Sequence, residues 1–398
     1  MSQAFSTANP RNSHRTGSLF VLGPVFFYCV TAGIATVMLG PLLPSLIQHW
    51  QIKDEQAGVL FTASFIGQFI GAWFATRNLR NSVLYGAAIS SAGCVAMAWV
   101  SFAAAPIALF CIGLGLGGGL AAGNVIVGTA LPASRARLLA ILNIAWSLGS
   151  IACPVLVHLS APHGVRIFFL LTASGLAIAA CFAIALPRVL QQKIVAEPSH
   201  LSLRTAAAFP PLPLMSLLAF ASALFLYIGV ENSLGGWLPS YAVRTNPSLQ
   251  AASISFFFWI AELGGRLLMA ALSTRIGGAT LYRVSLALLL FAETLLCAAA
   301  RLTPANMIML AILSGLALAP LYPLIVSFML ARTGNHPRLG SLFACASLGG
   351  AILPWLTGIF STQFHGLRIG LIVPAAGACL LLLLSTALAR EPIVHQEA

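Results

Sequence analysis

The chain has 398 residues, of which 59% are hydrophobic and only 7% are charged, and its mean hydropathy is +0.95. Soluble proteins carry about 25% charged residues, so a soluble globular class is excluded. The net charge of +12 comes from single Lys and Arg residues scattered through short loops. Without a basic patch or interleaved aromatics, this charge does not describe a nucleic-acid binder.

Residues 1–17 are polar and include Arg11 and Arg15. The apolar segment after them is too long for a signal-peptide core, and it is read as a retained first span. Apolar segments fall at 18–47, 55–76, 82–103, 105–132, 138–160, 165–187, 213–243, 249–274, 279–301, 304–333, 338–362 and 367–389. Each approaches or exceeds the roughly 20 residues a helix needs to cross a bilayer. Twelve transmembrane helices of an all-α polytopic membrane protein are therefore expected. Connections as short as 77–81 and 133–137 imply antiparallel neighbours. With the N-terminus in the cytoplasm, fourteen of the 20 Lys and Arg lie inside; Lys53, Arg166, Arg244, Arg301 and Arg368 lie outside, and Arg266 lies within a span. The positive-inside rule then places both termini in the cytoplasm. No Asn-x-Ser/Thr sequon occurs, because Asn246 is followed by Pro247. That is in keeping with a bacterial inner (cell) membrane.

Residues 188–212 form the one long polar connection, rich in charge and ending in Pro210 and Pro211. It is read as a cytoplasmic linker between two six-helix domains, 1–187 and 213–398. The halves resemble each other. Ala75-Thr76-Arg77 matches Ser273-Thr274-Arg275 at an offset of 198, which also sets Gly67 on Gly265 and Pro41 on Pro239. Ser147-Leu148-Gly149 with Pro154 matches Ser347-Leu348-Gly349 with Pro354 at an offset of 200. Ordered matches at a nearly constant offset indicate a duplicated unit. Two parallel six-helix halves with a site between them at the midplane make a transporter plan.

Twelve spans, the repeat and the central linker resemble the major facilitator superfamily. Tyr227-Ile228-Gly229-Val230-Glu231, Gly236-Trp237, Tyr241, Phe258-Trp259 and Gly265-Arg266 make the chain similar to the fucose permease branch. It resembles especially the sodium-dependent glucose transporter-like members of that branch. Arg137 with Leu142-Asn143 and Gly149-Ser150 adds to the resemblance. It implies a carrier working by alternating access. The superfamily's loop motif after the second span usually contains an acid, and here Ala75-Thr76-Arg77-Asn78 has none. Fucose permeases also use carboxylates in the first and fourth spans, and this chain has none in either.

Of the eight acidic residues only Glu231, Glu262 and Glu293 fall within apolar runs. An ionisable group at membrane depth costs about 2.5–3.5 kcal/mol on insertion scales and usually faces a cavity or a partner. Glu231 stands within the long run 214–243, beside Asn232, and could carry a coupling proton, bind a solute hydroxyl or hold a sodium ion. Glu262 and Arg266 are four residues apart in the favourable order for an intrahelical ion pair; either the pair braces the half or Glu262 floors a cavity. Glu293 is assigned to structure. Asn143 and Asn124 offer donor and acceptor together, suiting solute hydroxyls or interhelical bonds. Trp146 shares the face of Asn143, and Tyr227, Trp237, Trp259 and Tyr322 complete a candidate wall for the C–H face of a sugar.

The expected solute is therefore small, neutral and polyhydroxylated, a monosaccharide. Coupling to H+ through Glu231 and Glu262, coupling to Na+, and uniport all remain open. So do two other readings, a proton-driven exporter of hydrophobic compounds or metabolites and a non-transporting membrane sensor. The glycines of 113–123 lack the strand and the Lys-Ser/Thr of a phosphate loop and are read as packing residues. The eight cysteines include no Cys-x-x-Cys, so neither a disulfide framework nor a metal site is expected. No cofactor, no catalytic constellation and a monomer in the lipid bilayer complete the expectation.

Overall fold

The computed structural model describes residues 10–75, 78–130, 135–186, 214–299, 301–333 and 339–388. The expected linker and both extreme termini lie outside the described residues. Helices α1 (Pro10–Val37), α2 (Leu39–Trp50), α3 (Asp54–Phe74), α4 (Leu79–Met97), α5 (Ala105–Ala130), α6 (Arg135–Ser160) and α7 (Val165–Ile184) precede residues 187–213. Helices α8 (Leu214–Thr245), α9 (Ala251–Leu272), α10 (Gly278–Ala298), α11 (Pro304–Leu318), α12 (Leu321–Thr333), α13 (Leu339–Gln363), α14 (Leu367–Gly370) and α15 (Ile372–Leu388) follow them. Among the described residues there is no strand.

Ten of these helices or joined helices are long and apolar enough to cross a membrane, and a bent pair at Leu22–Val37 and Leu39–Trp50 brings the number to eleven. The remaining expected segment is α4, a 19-residue helix that opens on the polar run Arg80-Asn81-Ser82. The 42° bend at Met38 has a local cause. Pro41 has no N–H for the carbonyl of Val37 and its ring crowds that carbonyl. The same chemistry explains the break between α11 and α12, where Pro323 cannot bond the carbonyl of Ala319. The repeat partner of Pro41, Pro239, instead sits inside an unbroken α8. There the freed carbonyl belongs to Gly235, and Gly40 of α2 packs directly against it.

Glycines set how closely the helices approach, as small residues do in membranes. On α5, a Cβ at Gly113 or Gly117 would collide with the backbone carbonyls of Ser64 or Gln68 on α3. On α3, Gly67 and Gly71 meet Phe110 and Leu114 of α5 in the same way. The contacts recur in the second half of the chain. Gly149 of α6 lies on the carbonyl of Val30 in α1, and its sequence match Gly349 of α13 lies on that of Phe225 in α8. Gly315 of α11 likewise meets Phe258 of α9.

Helices from before and after residues 187–213 meet along a seam of α3 with α13, α2 with α8 and α9, and α6 with α9. At one end the seam is polar. Asp54, the single Asp of the chain, accepts from Arg244 Nη1 and Nη2 at 2.7 and 2.6 Å and from Ser361 Oγ at 2.5 Å. The neighbouring Glu55 N–H donates to Thr362 Oγ1 at 3.0 Å. A bidentate guanidinium–carboxylate pair is the strong form of such a contact, and this one ties three helices together. Spin labels at the exposed Gln56 and Gln363 read its effect. Asp54→Asn should lengthen the Gln56–Gln363 distance distribution, whereas an unchanged distribution would show that the pair does not hold this end shut.

Candidate functional site

Away from the Asp54 end, three helices bring their ionisable side chains together. On α8, Tyr227 and Glu231 are one turn apart, and Tyr227 Oη donates to Glu231 Oε1 at 2.5 Å. On α9, Arg266 Nη2 donates to Glu262 Oε1 at 2.5 Å and lies 4.0 Å from Glu231 Oε1. Tyr322 of α12 stacks at a tilt on Tyr227, with centroids 5.5 Å apart. Glu231 is 6% exposed and Glu262 only 1%.

The site crosses the seam through α6. Arg266 Nη1 donates to Ser147 Oγ at 2.6 Å, and its guanidinium lies 5.7 Å from the centre of the Trp146 ring. Trp146 meets Trp259 edge-on at 5.9 Å. Trp259 is 3% exposed, and its indole N–H has no partner among the described residues. Buried indoles usually find one.

The electrostatics follow from counting. Two carboxylates face one guanidinium where water is largely absent. An unpaired ionised carboxylate in such surroundings is strongly unfavourable. One proton balances the group.

The sequence-derived candidates divide accordingly. Glu231, Glu262, Tyr227, Trp146, Trp259 and Tyr322 converge. Asn143 and Asn124 are exposed on α6 and α5, and Asn232 is half-buried on α8. Each spends one N–H on the carbonyl four residues earlier, at 3.1, 2.9 and 2.8 Å. That leaves the side-chain carbonyl of each as an acceptor. Trp237 stands apart. It is fully buried in the seam, its Nε1 donates to the Pro354 carbonyl at 2.8 Å, and its ring packs on Phe61 at 5.9 Å. Glu293 of α10 is buried with neither carboxylate oxygen bonded among the described residues.

Two residues were not foreseen. Ser147 is visible in the sequence only as part of the Ser-Leu-Gly repeat, and Asp54 only as the single Asp of the chain. A cavity of about 800 Å³ lies at the Asp54 end, lined by Lys53, Asp54, Arg244, His365 and Arg368 among others. It contains none of the Glu231 cluster. In the cluster two buried acids share one guanidinium, whereas Asp54 is matched by Arg244.

A family model described as Major Facilitator Superfamily matches residues 25–338, well over half of the chain. The chain belongs to the Major Facilitator Superfamily. As a member it is a multi-pass membrane transporter of small molecules. Bypass of stop codon protein 6 of Saccharomyces cerevisiae is 23% identical over 374 residues, covering 83% of this chain and 75% of that protein. Niacin transporter NiaP of Acinetobacter baylyi is 25% identical over 288 residues, covering 61% of this facilitator and 64% of that one. Among solved structures, a D-xylose-proton symporter superposes with a TM-score of 0.74 at 15% identity, covering 92% of this chain and 97% of that one. The nucleoside transporter NupG gives 0.72 at 14%, covering 93% and 100%. A bacterial homolog of the lysosomal transporter Spinster, inward-facing and unoccupied, gives 0.70 at 15%, covering 95% and 99%. At these identities the likeness is one of fold.

Removing one partner of a buried ion pair strands the other charge, at a cost of about 3–5 kcal/mol. Arg266→Ala in this facilitator should therefore lower the thermal unfolding temperature of the detergent-purified protein markedly. Adding Glu262→Gln should restore much of the loss. If the double variant unfolds no later than the single one, Arg266 is not balancing Glu262.

Proposed function

We propose that this facilitator is a proton-coupled carrier of a small neutral polyhydroxylated solute, a monosaccharide. It works by alternating access between two six-helix halves, 1–187 and 213–398, in a bacterial inner membrane with both termini in the cytoplasm. The observation that carries the reading is the Glu231–Glu262–Arg266 group, which is one proton short of balance and reaches across the seam to α6. A coupling site needs a charge that changes with occupancy, and it must touch both moving parts.

The solute class follows from the same surroundings. The guanidinium of Arg266 is engaged with Glu262, and among the described side chains of this group there is no second cation to hold an anionic solute. On α6, Asn143 stands one turn before Trp146 and Ser147 and keeps its carboxamide oxygen as an acceptor for a hydroxyl; Asn124 and Asn232 are offered as further acceptors on the strength of their residue type alone. The Trp146–Trp259 pair offers an aromatic face, and the unpartnered Trp259 N–H offers one donor. The motif resemblance to the fucose permease branch agrees with this chemistry, and loading and release of solute and proton would alternate as the halves rock about the site.

The test is an equilibrium binding screen on purified protein with hexoses and pentoses, with nicotinate and a nucleoside as competing classes. It is followed by uptake into proteoliposomes under a pH gradient. A hexose or pentose should bind, and Glu231→Gln should abolish accumulation above the passive level while retaining solute exchange. Binding of nicotinate or the nucleoside in the absence of any sugar binding overturns the solute assignment. Unchanged gradient-driven accumulation by Glu231→Gln overturns the coupling assignment.

A further inference from the structure

Arg266 spans two helices with its guanidinium, one arm on Ser147 of α6 and the other on Glu262 of α9. A serine hydroxyl has one proton and two lone pairs. Ser147 donates its proton to the carbonyl of Asn143 at 3.0 Å. That orients its lone pairs outward, and one of them receives Arg266 Nη1 at 2.6 Å. The other arm of the fork, Nη2, is on Glu262. Held at both ends, the guanidinium stays 4.0 Å from Glu231 Oε1, outside hydrogen-bond range. Glu231 keeps the Tyr227 hydroxyl as a donor and the Glu262 carboxyl as a second side-chain partner.

Ser147 and Trp146 belong to α6, before residues 187–213, while Arg266 and both carboxylates belong to α9 and α8, after them. When α6 draws away from α9, Arg266 loses its hydroxyl acceptor and its aromatic face in one movement. With Nη1 released, the guanidinium is free to turn about its contact with Glu262 toward Glu231, whose Oε1 already lies 4.0 Å from Nη2. A guanidinium hydrogen-bonded to Glu231 favours the ionised acid, and the proton departs to water.

We propose that Ser147 is the positioning residue that ties proton occupancy of the acid pair to the joining of the two halves. It keeps Arg266 off Glu231 while α6 and α9 are joined, and surrenders it when they part. The inference rests on the proton-coupled reading of the same site. The titratable and charged groups facing Glu231 are Tyr227 on α8, Glu262 and Arg266 on α9 and Tyr322 on α12. From α6 come only Ser147 and Trp146, which do not titrate. Ser147 therefore acts through the direction it gives Arg266 and through no charge of its own.

A solute-free measurement tests this. Spin labels replace the exposed Ile141 on α6 and Leu268 on α9, and their distance distribution is followed from about pH 5 to about pH 9 in liposomes. In the otherwise wild-type protein the separated population should grow as pH rises. A one-unit difference in proton affinity between the two states changes the population ratio about tenfold. Glu231→Gln should flatten the response. Ser147→Ala should shrink it, because Arg266 can then reach Glu231 in both states, and Ser147→Thr, which keeps the hydroxyl, should restore it. If Ser147→Ala aggregates, Ser147→Gly removes the same hydroxyl and takes its place. A full wild-type response in the hydroxyl-free variant, with Glu231→Gln flat, overturns the role of Ser147 and leaves the coupling reading standing. A flat wild-type response, or a full response in Glu231→Gln, overturns both.

Discussion

Two acids and one base, set where the bilayer excludes water, constrain everything around them. Glu231 and Glu262 come from adjacent helices of the second half, and Arg266 is the single cation among the side chains that meet them. Coulombic interactions are several-fold stronger in such a medium than at a protein surface, so the group must be balanced by protons and hydrogen bonds. Tyr227 supplies one bond to Glu231, and Ser147 supplies an acceptor for the spare arm of Arg266. The tight glycine contacts between α8 and α13 and between α9 and α11 hold these helices at close range. The Arg266–Ser147 bond needs α6 and α9 to be joined. On the proposed reading, balance of charge and position of the halves are thereby linked.

The repeat makes the asymmetry of the site visible. At the 198-residue offset Arg266 falls on Gln68, Glu262 on Ser64 and Glu231 on Gly33. The first half keeps the packing geometry without the charges. Gly33 packs against the Trp146 carbonyl, and Ser64 and Gln68 present their carbonyls to the glycines of α5. One half supplies the ionisable chemistry. The other supplies Trp146 and Ser147, which are uncharged.

Much of this was legible in the sequence because its causes are local or periodic. Hydropathy placed the helices. The offset matches found the glycines that set equivalent helix approaches, and the four-residue spacing of Glu262 and Arg266 gave the ion pair. Glu231 stood out because a carboxylate in an apolar run is costly. The bend at Met38 was missed, although Pro41 implies it, because the apolar run passes through the break. The cross-seam bonds were not legible at all. Arg266 and Ser147 are 119 residues apart, and Arg244 and Asp54 are 190 apart. No local pattern marks either pair, and a serine in a membrane helix or an acid at a helix start has many commoner explanations. Trp237 shows the converse. Its place in a motif suggested a solute wall, and only its bond to Pro354 and its stacking on Phe61 reveal a seam residue.

The central claim is that this acid pair carries a proton along with the solute. It is tested most directly by a pH-sensitive dye trapped in weakly buffered proteoliposomes, while a sugar identified by the binding screen flows down its own gradient with no pH gradient imposed. Protons moving with the sugar in the wild-type protein, and no proton movement with Glu231→Gln despite continued sugar flux, is the predicted result. Sugar flux through the wild-type protein without any proton movement would contradict it.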